Sequence, residues 1–233
     1  MVMGTSYSPK IVTDDLVLCF DAANTRSYPR TGTTWTDISA GFSDSLVSRS
    51  TADNGTLTNG PTFDTTNKGS IVFDGTNDHV IISTAPTSLV TDSSPVTISV
   101  WAYPHIAGQG MIFGNGNSDR FYVETWGSSP SVFHWGFGGS NNSTTSQATF
   151  SINNWYNYVA SYDGTNVRGY LNSILTDTTS LSNPSYGGSE LKIGNWQNNL
   201  YFNGNISNVS VYNRALSEEE IKQNYKALRG RYL

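Results

Sequence analysis

The sequence predicts an all-β sandwich of two antiparallel sheets, closed by one short C-terminal α-helix. Three observations carry that prediction. Short β-branched or aromatic runs alternate with Gly, Asn, Asp and Pro along nearly all of the 233 residues. Charged residues make up only 13% of the chain, against about 25% in an average soluble domain, and Ser, Thr, Asn and Gly supply the polarity instead. One helix signature stands near the C-terminus, over 217–229.

Residues 1–15 lie outside the sandwich pattern and read as an N-terminal arm, with one domain over 16–233. The first strand is Leu16–Phe20. Others are expected at Ser70–Phe73, His79–Ser83, Val96–Tyr103, Gly110–Phe113, Phe121–Thr125, Val132–Gly136, Trp155–Tyr162, Val167–Leu171, Ile174–Thr178, Leu191–Ile193 and Gly204–Tyr212. Asp74-Gly75, Asn115-Gly116, Asp163-Gly164 and Asn203-Gly204 mark turns, because these residues tolerate positive φ; Asn172-Ser173 is a weaker hairpin signal. The tetrad Asp-Gly-Thr-Asn recurs at Asp74–Asn77 and Asp163–Asn166 with unrelated flanks, which makes two independent turns and no tandem repeat. Ser39 to Gly60 is polar and strand-poor, the composition of a long surface excursion before Pro61-Thr62-Phe63 rejoins the sandwich.

The helix opens on a capping box. In Ser217-Glu218-Glu219-Glu220 the Ser217 hydroxyl can accept from the Glu220 amide while the Glu220 carboxylate reaches back, and Leu216 and Ile221 sit at the two positions of a hydrophobic staple. Three first-turn glutamates complement the helix dipole. Ile221, Tyr225 and Leu228 form the stripe that docks the helix on the sandwich, Lys222, Lys226 and Arg229 lie toward its C-terminal end, and Gly230 stops it.

A net charge of −5 argues against a nucleic-acid binder, which needs a basic footprint. No stretch approaches membrane-spanning length. The single cysteine, Cys19, has no intrachain disulfide partner and sits in an apolar strand, where it reads as a small buried hydrophobe. Met1 to Lys10 shows no apolar signal region. An extracellular-type composition without an export signal fits a virion component made in the host cytoplasm.

Five stretches, in order, resemble a known family. They are Leu16-Val17-Leu18-Cys19-Phe20-Asp21-Ala22-Ala23, the run Gly69 to Val80 with Phe73-Asp74-Gly75-Thr76-Asn77-Asp78, Thr97-Ile98-Ser99-Val100-Trp101-Ala102, Trp155 to Gly164, and Phe202 to Ile221. Together they are similar to the laminin G-like, concanavalin A-like jelly-roll domains, from about Leu16 to Leu228. Tyr7-Ser8-Pro9-Lys10-Ile11-Val12-Thr13-Asp14 and Ala227-Leu228-Arg229-Gly230-Arg231 resemble the variant found in structural proteins of tailed bacteriophages, marine and cyanobacterial ones especially. The resemblance implies a jelly roll with the C-terminal helix packed at an edge. It further implies a non-enzymatic virion surface protein, a capsid decoration or tail component. Other virion proteins would be its partners, further copies of itself could join them as a homo-oligomer, and host polysaccharide is a candidate ligand.

The same fold hosts glycoside hydrolases, which need paired carboxylates about 5–5.5 or 6.5–9.5 Å apart. Glu124 and Glu190 are the only glutamates outside the helix, and neither has an acid two or four residues away, so the hydrolase signature is missing and no catalytic residue is assigned. His79, His105 and His134 are far apart in sequence and form no metal or triad motif. Trp35, Trp101 and Trp155 read as packing residues. Trp126, Trp135, Trp196 and Tyr201 stand beside Gly, Ser and Asn at strand ends, and with Asn198 they are the candidate glycan contacts, since sugars stack on exposed rings. A carbohydrate-binding module or adhesin not tied to a virion is therefore the alternative reading, and a glycoside hydrolase, which would require an aspartate pair across strands of the concave sheet, is a third. No cofactor is required. The resemblance implies a structural Ca²⁺, for which Asp21 and Asp74 are the positions to test, although neutral Asn208 replaces an expected acid.

Overall fold

The computed structural model describes residues 9–41, 53–115, 120–127, 130–138, 148–197 and 199–233. Two antiparallel sheets face each other. The eight-stranded sheet runs β13 (Ile174–Ser180), β12 (Asn166–Leu171), β11 (Tyr156–Tyr162), β7 (Val96–Pro104), β15 (Asn203–Tyr212), β5 (Ser70–Asp74) and β4 (Thr62–Asp64), with β1 (Leu16–Asp21) also paired to β15. The seven-stranded sheet runs β10 (Val132–Gly138), β9 (Arg120–Trp126), β8 (Gly110–Gly114), β14 (Leu191–Ile193), β6 (His79–Ile82), β3 (Gly55–Thr58) and β2 (Thr34–Trp35). Because strand side chains alternate between faces, one face of each sheet supplies the core: Phe20, Ile98, Val100, Val209 and Val211 meet Val80, Ile82, Phe113, Phe121, Val123 and Phe133 in one buried cluster.

Each strand read from the sequence is present, with bounds within a residue or two. The region read as a strand-poor excursion is different. Its residues 42–52 lie outside the described ones, but Gly55–Thr58 is β3, paired with β6 and β2. Its inward positions are Gly55 and Leu57, so only one apolar side chain marks the strand. A Cβ at Gly55 would lie 2.5 Å from Val80 Cγ1, so the residue that hides the pattern is also what permits the packing. Asn203-Gly204 is likewise no turn. Both residues lie within β15, and a Cβ on Gly204 would come within 2.3 Å of the Tyr103 carbonyl oxygen. The weaker hairpin signal, Asn172-Ser173, is a two-residue turn with both φ values positive (51° and 67°), as a type I′ hairpin requires. The repeated tetrads fold alike: the Asp74 carboxylate accepts from the Thr76 and Asn77 amides, and Asp163 from those of Thr165 and Asn166.

A single helical turn, α1 (Pro86–Leu89), follows β6; helix α2 (Glu218–Leu228) has Ser217 as its N-cap with both halves of the capping box formed. Gly230 does not end it in a left-handed cap; the chain continues into a 3-10 turn over Arg229–Arg231. The helix lies on the outer face of the eight-stranded sheet, where Trp101 stacks with Tyr225 (centroids 5.6 Å, interplanar 7°) and with Tyr232 (4.2 Å, 22°). Beneath it Ile221 and Leu216 join Leu16, Cys19, Val159, Tyr170 and Tyr212. Burial pushes the Cys19 thiol up to about 12, so it packs as an inert apolar group. The described part of the N-terminal arm is folded against the same helix: Asn224 accepts from the Val12 amide, Gln223 donates to the Lys10 carbonyl, and Tyr212 donates to the Val12 carbonyl.

Arg214 forks onto Glu220, Nη1 to Oε2 at 2.8 Å and Nη2 to Oε1 at 2.6 Å. That pairing and the Ser217 amide hold the Glu220 carboxyl at about 2, below its ordinary 4.5. A depressed folded-state pKa gives stability that is present above the unfolded value and lost as pH falls toward the folded one. The melting temperature of the wild type should therefore exceed that of Glu220→Gln at pH 7, with the gap closing between about pH 4.5 and 2. Calorimetry across that window checks it.

Candidate functional site

β9 and β10 form a hairpin whose register pairs Trp126 with Val132, Glu124 with His134 and Tyr122 with Gly136. Phe121 and Val123 point into the core with Phe133, Trp135 and Phe137, so Tyr122, Glu124, Trp126 and His134 occupy the outer face. There the side chains interlock. His134 Nδ1 lies 2.9 Å from Glu124 Oε1, and Gln109, just before β8, donates to Glu124 Oε2 at 3.3 Å. The imidazole stacks beneath Trp126, with centroids 5.6 Å apart and planes at 25°, and Tyr122 flanks it at 6.4 Å. Glu124 is 2% exposed and Trp126 46% exposed. A buried carboxylate thus fixes a ring that supports an open indole face.

The Tyr122 ring lies over Gly136, where a Cβ would come within 2.5 Å of it. Glycine at 136 is thus what lets the ring lie down across β10.

A second aromatic group lies on the same outer face. His79 and Ile81 of β6 point outward while Val80 and Ile82 enter the core, and Tyr201 covers His79 at 6.4 Å. Tyr201 belongs to the segment joining β14 to β15, which runs beside β8: the Met111 amide donates to the Leu200 carbonyl. It is separated from β9 by β8, a spacing of about 10 Å at about 4.8 Å per strand. Trp196, in the same segment, is half-buried with its indole N–H enclosed and unpartnered, while Gln197 and Asn199 are exposed.

Of the glycan contacts expected from sequence, Trp126 and Tyr201 therefore share one face and Trp196 adjoins it. Asn198 lies outside the described residues. Trp135 requires correction: it is fully buried, stacked on Phe137 inside the core, and cannot touch a ligand. Its place in β10, alternating inward with Phe133 and Phe137, puts it on the inner face, a parity that composition beside Gly and Ser does not reveal. Gln109, Glu124 and His134 were not assigned from sequence. The signal was there, since a hairpin that pairs 126 with 132 also sets 124 opposite 134.

The positions expected to hold Ca²⁺ do not fit a shared ion. Asp21 accepts from Arg231 Nη1 at 2.7 Å and from the Ala23 amide, so a guanidinium occupies its carboxylate. The amides of Thr76 and Asn77 hold the Asp74 carboxyl below the usual carboxylate range. Asp21 pairs with Asn208 and Asp74 with Asn203, five residues apart on β15, or about 17 Å. Among the described residues no group of three or more His, Cys, Asp or Glu is placed to hold a metal, and no helix is long and apolar enough to cross a membrane.

A family model described as the concanavalin A-like lectin/glucanases superfamily matches residues 74–222, more than half of the chain. The chain belongs to that superfamily. A search of curated proteins finds no match. Among solved structures, domain 4 of AbnA, a GH43 extracellular arabinanase from Geobacillus stearothermophilus in complex with arabinotriose, is similar with a TM-score of 0.65 at 15% identity. That likeness covers 91% of this chain and 98% of that one. The binding domain of Paraclostridial Mosquitocidal Protein 1 is similar at TM-score 0.65 and 15% identity, over 91% of this chain and 52% of that one. So is the binding domain of botulinum neurotoxin DC in complex with SialylT, at TM-score 0.65 and 13% identity, over 93% and 52%. The chain thus spans about half the length of the two toxin domains, and at these identities the likeness is one of fold, that of the concanavalin A-like sandwich with its C-terminal helix.

Burial separates the two tryptophans of the β9–β10 hairpin energetically. Trp135→Ala should lower stability by about 3–5 kcal/mol, whereas Trp126→Ala should stay within about 0.5 kcal/mol of the wild type. Urea unfolding followed by far-UV circular dichroism distinguishes them.

Proposed function

We propose that this concanavalin A-like domain is a non-catalytic carbohydrate-binding module. Its primary platform is Trp126 and its second is Tyr201, both on the outer face of the seven-stranded sheet. The observation that carries the reading is the mounted indole: a tryptophan 46% exposed, backed by His134 and the buried Glu124. A rigid aromatic face with one side open suits the C–H face of a sugar ring, and the exposed amides of Gln197 and Asn199 suit its hydroxyls. The arabinotriose and SialylT complexes of similarly folded domains support the same class of ligand.

Binding without hydrolysis is supported by the surroundings of Glu124. The register sets Met111 of β8 and His134 of β10 opposite it, with Tyr122 and Trp126 two residues away on its own strand. No described neighbour at those positions is the second carboxylate that glycoside hydrolysis needs.

The likeness of Tyr7–Asp14 and Ala227–Arg231 to phage structural proteins supports a virion surface as the setting of the module, a second and narrower reading. In that setting the described part of the N-terminal arm is held on the domain itself, hydrogen-bonded to α2 and to Tyr212. Mass spectrometry of purified particles decides that setting, and absence of the chain from them rejects it.

The binding reading is tested on a glycan array with the wild type, Trp126→Ala and Tyr201→Ala. Trp126→Ala should weaken binding to the best glycan by about ten-fold or more, as buried-on-binding tryptophans commonly do, and Tyr201→Ala by less. No hit across neutral and acidic glycans, or an undiminished Trp126→Ala, would overturn it.

A further inference from the structure

The Trp126 platform rests on a titratable group, and this gives the site a regulation of its own. His134 touches the indole on one side and the Glu124 carboxylate on the other. The titratable groups seen against the imidazole include Glu124 and Tyr122, both from β9; Gln109, from the segment before β8, brings a neutral amide to the far oxygen of Glu124. An imidazole changes charge between about pH 5 and 8. In its neutral form Nδ1–H donates to Glu124 Oε1, and the ring supports Trp126 by stacking alone. When Nε2 gains a proton, the same contacts become an ion pair with a buried carboxylate and a cation held against an indole, and the 5.6 Å separation is within the range where that attraction operates.

We propose that Glu124, His134 and Trp126 work as one pH-responsive platform, in which protonation of His134 locks the indole plane and so strengthens glycan binding in mild acid. The regulation rests on Trp126 being the sugar platform. By linkage, a ligand that binds the locked form better must itself draw a proton onto His134. The size of a partly exposed cation–π contact sets the expected gain at about two- to five-fold in affinity on going from pH 7.5 to 5.5.

The test uses the full 233-residue chain and has two arms. In the first, without ligand, tryptophan emission is followed from about pH 8 to 5, and the Trp126→Phe signal is subtracted to isolate Trp126. An imidazolium in contact quenches indole emission, so the difference signal should fall along a one-proton curve. His134→Phe, which keeps a stacked ring and removes the proton, should abolish the curve. Glu124→Gln should blunt the fall, because the ring loses the carboxylate that orients it against the indole. A flat difference signal in the wild type, or one unchanged in His134→Phe, overturns the coupling. In the second arm, the best array glycan is titrated at pH 7.5 and 5.5. Tighter binding at pH 5.5 that His134→Phe lacks supports the regulation, and equal affinity at both rejects it while leaving the module a sugar binder. If no glycan binds at either pH, the carbohydrate reading falls and the regulation falls with it, even where the emission curve is present.

Discussion

β15 is the last strand of the chain, yet it lies at the centre of the larger sheet. Along one side it pairs with β7 for nearly its whole length; along the other it pairs first with β5 and then with β1. The handover occurs at Ser207, where the β7 register shifts by one residue. The extra residue uses its freedom: Ser207 accepts from the Ala22 amide through its carbonyl, donates its hydroxyl to the Gly69 carbonyl, and accepts from the Tyr232 hydroxyl. The N-terminal strand, the middle of the chain and the C-terminus therefore meet at one bulge. The eight-stranded sheet cannot close until almost the entire chain is available, which makes this a fold dominated by non-local pairing and, by that topology, slow to form.

Completion of β15 also decides where the helix goes. The outer face of the sheet beneath α2 is unusually polar, with Thr97, Ser99, Asn157, Asn208 and Ser210 all buried. Most of these groups are matched locally: Asn157 donates to Ser99 and the Val100 carbonyl, Asn208 to the Phe20 carbonyl, and Thr97 accepts from the Leu216 amide, while Asn157 Oδ1 is buried without a partner among the described residues. Satisfied polar groups orient a helix but hold it only modestly. The stronger attachment comes from the ends. The Arg214–Glu220 fork fixes the first turn, and Tyr232, stacked on Trp101 and tilted against Trp155, fixes the last. Between them Arg231 reaches the Asp21 carboxylate, which ties the final residues of the chain to its first strand.

How much of this was legible follows from how each feature is encoded. Long alternating runs such as Val96–Pro104 and the capping box at Ser217 carry their own signal, and they folded as read. The short strands β2, β3 and β4 carry almost none. Their inward positions are few, and one of them is Gly55, chosen for closeness to Val80 and not for apolarity. Asn203-Gly204 misleads for a related reason, since a glycine needed for close approach to Tyr103 looks the same in sequence as one needed for a turn. For the site, the aromatic composition of the strand ends identified Trp126 and Tyr201. Telling Trp126 from Trp135 required the parity of each strand, and finding Glu124 and His134 required the register between two strands. Neither is a property of any single segment.

The position of Trp126 at the edge of regular pairing explains why it can serve as a platform at all. Inside a strand, an outward tryptophan is flanked on both sides by neighbours at strand spacing and is partly covered by them. Trp126 is the last residue of β9; Val132 is its register partner on β10, and the indole stacks on His134, one pair further into the strand. The imidazole fills the role of a wall. Its own orientation is set by a carboxylate that is itself nearly inaccessible, and Gln109 caps the remaining oxygen. Such a chain of supports lowers the entropy that a side chain loses on binding, because part of the ring's freedom is given up before the ligand arrives. The exposed face is thus the end of a sequence of contacts that begins in buried structure, and its rigidity depends on strand register as much as on the tryptophan itself.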